Sequence, residues 1–180
     1  MNKSSNPKPE HVLERLEILP KVGILTQDST GMIYLDLDDN WVFRALEVLR
    51  PYGYIRPPYF VYPPTPVGAH IKVVTKREAE DYGLIIRNRN IPHLGKKFEF
   101  KVVKAFVSYP KIKEYGLETR YKIKVEVTSE LMQIRTHLTG KYSPPRNGFF
   151  IVVGVRSPDI LKKLADPNYD EKEYESSMTQ

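Results

Sequence analysis

Cysteine is absent from this 180-residue chain, which excludes a disulfide scaffold, a thiolate metal site and a thiol nucleophile. Long apolar runs are also missing. The longest uncharged apolar stretch, residues 148–155, is far too short to span a bilayer. The opening residues, Met1 to Pro9, are polar and lack the apolar core of a signal peptide. A cytoplasmic protein without a membrane span is the expectation. No carboxylate cluster has metal-ligand spacing, no glycine-rich phosphate loop is visible, and no RNA-binding signature stands out. Neither metal nor cofactor is therefore expected. There is no repeat or low-complexity tract.

What is present is ordinary in amount and uneven in placement. Apolar residues make up 41% and charged ones 28%, which suits one domain with a sizeable core. The net charge is +6, but the last fourteen residues hold four acids (Asp170, Glu171, Glu173, Glu175) and one base (Lys172). The remainder is thus at +9, a balance that favours anionic partners such as phosphates or nucleic acid. The sequence divides into a helical extension over 1–29, a domain over 30–166 and an acidic, flexible tail over 167–180.

Periodicity places helices over 10–19 and 41–49 and a strand over 32–37. Residues 54–68 hold five of the 15 prolines and three tyrosines (Tyr54, Tyr59, Tyr62). Proline removes backbone donors and fixes φ, so a stiff, extended surface loop is expected there. A strand over 69–74 leads to a capping box, Thr75 to Glu78, and a short helix. Strands over 98–107 and 120–127 read as an antiparallel pair. A helix capped by Thr128 or Ser129 ends at Gly140. A strand over 149–155 and a helix over 159–164 close the pattern. Helices interleave with hairpins, so the class is α+β.

Strand alternation separates faces. His70 and Lys72 oppose the apolar face of their strand, as Arg120, Lys122, Lys124 and Glu126 do on theirs. The strand over 149–155 is apolar on both faces, with Phe150, Val152 and Gly154 sharing one side, as in a doubly covered strand or the floor of a pocket.

Gly148-Phe-Phe-Ile-Val-Val-Gly154, preceded by a helix with Leu131 and Arg135 and by a proline turn, resembles the second signature of the two-histidine phosphoesterases. In that family the strand reads Gly-Phe-His-x-Thr-apolar-Gly. Ala69-His-Ile-Lys-Val-Val74 resembles the first His-x-Thr signature. Within the superfamily the chain is most similar to degenerate members, the Swiss Army Knife two-histidine domain and the KLAMP nucleotide-binding domain. The resemblance spans roughly residues 30 to 165. It implies a two-lobed fold, with antiparallel-rich sheets, helices on the outer faces and a central cleft shared by the two signature strands.

The departures define the functional expectation. His70 stands where the family has its first histidine, but Lys72 replaces the hydroxyl residue. Phe150 stands at the second histidine position and Val152 at its hydroxyl position. Phenylalanine transfers no proton, so acid–base catalysis with two groups is lost. His137-x-Thr139 repeats the motif literally but falls in a helix, where i and i+2 do not share a face. The expected function is binding of a nucleotide or similar phosphate compound. His70, Lys72, Lys122 and Lys124 would meet the phosphate, Phe150 and Val152 would form the floor, and Tyr54, Tyr59 and Tyr62 would stack on a base. The alternatives are a phosphodiesterase using His70 with Lys72, Tyr62, Arg135 or His137 as partner, and a protein- or RNA-interaction domain.

Overall fold

A computed structural model describes residues 5–57, 67–84, 91–109 and 118–157. In chain order these form α1 (Pro9–Leu16), β1 (Val22–Gln27), β2 (Ile33–Asp36), α2 (Asn40–Leu49), β3 (His70–Val74), α3 (Lys76–Asp81), β4 (Lys97–Ser108), β5 (Thr119–Val127), α4 (Ser129–Thr139) and β6 (Phe150–Arg156). The class is α+β, with all paired strands antiparallel in one six-stranded sheet of order β3-β2-β1-β4-β5-β6. The helix expected over 159–164 and the acidic tail lie outside the described residues.

Helix boundaries follow local chemistry. Proline opens α1, where the missing donor costs nothing. Thr75 and Glu78 form the reciprocal capping box of α3, and Thr128, not Ser129, accepts from Leu131 N–H to cap α4. Gly140 ends α4 at φ 72°, in the left-handed region that glycine enters without strain. The core lies between the helices and one sheet face, with Trp41, Leu46, Leu49, Ile71 and Ile123 at 1% exposure or less.

Strand β1 corrects the sequence expectation. The sequence pattern reads residues 1–29 as a helical extension, yet residues 22–27 lie in the middle of the sheet, paired with both β2 and β4. The expected boundary at 29–30 therefore falls inside the β1–β2 hairpin. Gly23 interrupts the strand pattern because a Cβ there would lie 2.7 Å from Leu37 Cδ2 and 2.8 Å from Leu35 Cβ.

The order of elements repeats: a helix, two strands, a second helix and a third strand make up each half. β1 and β4 meet at the centre, while β3 and β6 lie at the two rims. Pairing repeats as well. Asp36 opposes His70, Leu35 opposes Ile71 and Tyr34 opposes Lys72; then the register slips so that Ile33 opposes Val74. In the other half Lys124 opposes Phe150, Ile123 opposes Ile151 and Lys122 opposes Val152, before Tyr121 opposes Gly154. Val73 and Val153 are thus the extra residues of two bulges at equivalent places. A bulge inverts the alternation beyond it. Gly154 consequently turns toward Leu49 and Tyr54, 3.1 and 3.2 Å from where its Cβ would be. Val155, not Gly154, shares the face of Phe150 and Val152.

Candidate functional site

β3 and β6 are distant in the sheet order, yet their residues come into contact, so the rims of the sheet approach each other. A pocket of about 110 Å³ opens between them. His70 and Lys72 line it from β3, Phe150, Val152 and Val155 from β6, and Glu118 and Arg120 from the start of β5. Four of the residues chosen from sequence (His70, Lys72, Phe150 and Val152) are therefore together. His70 and Phe150 occupy equivalent positions, each the first residue of its strand.

His70 is 7% exposed. Its Nδ1 lies 2.8 Å from the Gly68 carbonyl; a carbonyl only accepts, so Nδ1 carries the proton. The Tyr34 ring meets the imidazole edge-on at 5.5 Å. Burial drives the imidazole pKa down to about 4; the Gly68 bond and Asp28 oppose the shift and the Lys72 charge adds to it. The ring is neutral near pH 7. At that pH His70 offers hydrogen bonding and no positive charge.

The positive charge comes from its neighbours. Lys72 is exposed by surface area, yet crowding lowers its pKa, first through burial and then through Arg120. Lys122, which alternation places opposite the apolar face of β5, is only 7% exposed. Its Nζ lies 4.0 Å from the Phe150 ring centroid, a cation–π distance. Burial, then Arg120 and Lys72, lower its pKa. Phe150 thus presents a ring face to Lys122 and holds that ammonium beside the pocket without lining it. Glu118 is the described carboxylate in the lining, and its Oε2 accepts from Arg120 Nε at 3.2 Å.

Other expected residues lie elsewhere. Tyr54 is fully buried: its hydroxyl donates to Asn6 Oδ1, its ring meets Tyr121 edge-on at 5.6 Å, and Arg156 stacks 4.5 Å above it. It is a core residue, not a stacking platform. Ile55 pairs with Val155 in an antiparallel bridge, so the proline-rich segment begins docked on β6 rather than as a surface loop. Tyr59 and Tyr62 lie outside the described residues. Lys124 is exposed opposite Phe150 and does not line the pocket. Arg135 is buried and held by Glu78, Val73 and Ser143, so it is not a partner for His70. His137 is exposed on α4 while Thr139 is buried; this second His-x-Thr is split between two faces, as helical geometry requires.

Arg120 and Glu118 were not chosen from sequence. Arg120 shares strand parity with Lys122 and Lys124, the signal that pointed to it. Among the described residues no group of His, Asp and Glu is arranged to hold a metal ion, and no helix is long and apolar enough to cross a membrane. Comparison with family models, with curated proteins and with solved structures finds no match to this chain.

The buried imidazole has a measurable consequence. Its folded-state pKa of about 4 lies below the ordinary imidazole value of 6.5. The folded state therefore binds fewer protons than the unfolded chain between those values, and stability falls as pH drops through this window. A shift of that size corresponds to a loss of about 3 kcal/mol, complete near the folded pKa. Urea unfolding from pH 7 to 4 measures it. His70→Gln should flatten the profile above pH 4.5; an unchanged slope in that variant would assign the effect to other groups.

Proposed function

We propose that the pocket between β3 and β6 binds the phosphate end of a nucleotide or similar phosphate compound without hydrolysing it. The observation that carries this reading is the gathering of Lys72, Arg120 and Lys122 around one pocket whose described lining holds a single carboxylate, Glu118. Like charges held together raise the energy of the empty protein, and a bound anion offsets that repulsion. Size limits what enters. A drug-sized ligand fills roughly 300–1,000 Å³, so about 110 Å³ suits a phosphate group, with sugar and base lying beyond. Tyr59 and Tyr62 are the proposed stacking partners for the base.

The degenerate two-histidine, two-lobed arrangement belongs to the same reading. The repeated element order, the equivalent bulges and the equivalence of His70 with Phe150 support it. A neutral histidine facing a phenylalanine leaves one proton-transfer group where the family mechanism needs two.

A second reading, a single-stranded RNA partner, draws on the sheet register. Lys104 and Phe106 on β4 oppose Lys124 and Lys122 on β5, which oppose Phe150 and Val152. Cations and aromatic rings therefore run across three strands from the pocket, a pattern that suits a polyanion carrying flat bases.

A thermal-shift screen of mononucleotides, cyclic and linear dinucleotides and short RNA tests both. A ligand at a hundred times its Kd stabilises by about 2.7 kcal/mol, or a rise in Tm of about 5–10 °C for a domain this size. Mononucleotide hits with no phosphodiester turnover support the first reading. Shifts from RNA alone, steeply salt-dependent, support the second. Turnover lost in His70→Ala would establish an enzyme instead.

A further inference from the structure

A larger concavity lies away from the pocket, between α1 and β4. It has a volume of about 350 Å³, and its floor includes Leu13, Val102 and Val103. Consecutive strand residues ordinarily point to opposite faces. Here the β4–β5 register slips between Val102 and Lys104, and this bulge lets both valines line the same groove. Val103 is left 44% exposed, which is unusual for a valine in a central strand.

The wall is acidic. Glu10, Glu14 and Glu17 line the groove from α1 and its C-terminal end, spaced so that they form one stripe on a helix. Among the described residues none of them takes part in an ion pair; Arg15, on another face, binds Glu47. Lys21 also lines the groove, but its ammonium donates to the Glu17 and Leu19 carbonyls at 2.8 and 3.0 Å. Glu14 and Glu17 sit toward the C-terminal end of the helix, where the macrodipole disfavours negative charge. Helix stability therefore does not account for them. They form an acidic strip beside exposed Val103 and half-buried Leu13 and Val102, on a chain of net charge +6.

We propose that this groove is a docking site for a cationic, amphipathic segment of a partner protein. Apolar side chains of the segment would cover Leu13, Val102 and Val103. Its lysines or arginines, one helical turn apart, would meet Glu10, Glu14 and Glu17. Such helix-in-groove recognition combines apolar anchors with a charged rim. The proposal is independent of the phosphate site.

The probe is a fluorescein-labelled amphipathic Leu/Lys peptide, titrated into the full chain and followed by anisotropy. A scrambled peptide of the same composition, without amphipathic spacing, is the comparison. The amphipathic peptide should bind at least about tenfold more tightly than the scrambled one, and more weakly as salt rises. The E10K/E14K/E17K variant and, separately, Val103→Asp should each weaken binding by about tenfold or more. Glu126→Lys, on β5 outside the groove, should not. Circular dichroism and melting establish that each variant folds; Val103 is exposed enough to tolerate aspartate, so its arm stands if the triple variant unfolds. Equal affinity for both peptides, or unchanged affinity in both groove variants, overturns the proposal. So does self-association of the unmodified chain that E10K/E14K/E17K abolishes, since the occupant would then be a second copy.

Discussion

Replacing Arg135 by alanine is expected to lower the free energy of unfolding by about 3–5 kcal/mol, the range for breaking a buried charge pair from one side. Arg135 is 2% exposed and ties three elements together. Its Nη1 donates to the Val73 carbonyl at 2.6 Å and to Glu78 Oε1 at 3.0 Å. Nη2 donates to Glu78 Oε2 at 2.7 Å, and Nε to the Ser143 carbonyl at 2.7 Å. Burial raises the Glu78 pKa, but the hydrogen bonds from Arg135 and the Thr75 backbone outweigh it and hold the carboxyl below its ordinary value. Alanine would strand that carboxylate and two carbonyls. Because the Glu78 side chain keeps 23% of its exposure, water relieves part of the cost, and the lower end of the range is expected. Urea unfolding measures the loss directly; a change below about 1 kcal/mol with an unaltered m-value would show the network to be dispensable. Val73 is the extra residue of the β3 bulge, so the same variant should also disturb Lys72 and weaken phosphate binding.

Removing Lys72 and Arg120 together by alanine is expected to cut affinity for a nucleotide hit by about 100-fold or more. Hydrogen bonds to charged groups contribute about 1.5–3 kcal/mol each, and two at the lower value already amount to two orders of magnitude. The two side chains are neighbours, so the double variant is compared with both single ones. Unfolding of the ligand-free protein should move the other way. The charge of Arg120 lowers the Lys72 pKa, which marks repulsion in the empty pocket, so the double variant should be at least as stable as the natural chain. Calorimetry and urea unfolding together read this opposed pair of effects. Affinity retained within about threefold would place the phosphate elsewhere.

The sequence patterns reached the site better than they reached the sheet. Alternation alone put His70 and Lys72 on one face, and the structure brings them to a shared pocket with Phe150 and Val152. Three features escaped it. Residues 22–27 carry a glycine and apolar residues on both faces, so neither strand nor helix period is clear, although they form the centre of the sheet. Alternation assumes an unbroken ladder, and the Val153 bulge reversed the faces of Gly154 and Val155. Tyr54 follows Gly53 at φ 89°, and beyond that left-handed turn the chain pairs Ile55 with Val155 at the edge of the sheet. Proline content nearby spoke for a surface loop, but it says nothing about the residues that precede the first proline.

The two site-bearing strands share no ladder among the described residues; each is anchored to its own half. Those halves join through a short register, Val22–Ile24 of β1 against Lys97–Glu99 of β4, and also through the Ile55–Val155 bridge and the Arg135–Val73 bond. The pocket is therefore a seam rather than a hole cut in a continuous wall. That seam is clasped at both rims, because widening it would break the Ile55–Val155 bridge to β6 or the Arg135 bond to the Val73 carbonyl of β3. Ligand release would then depend on those two clasps, and loosening either of them would shorten residence time.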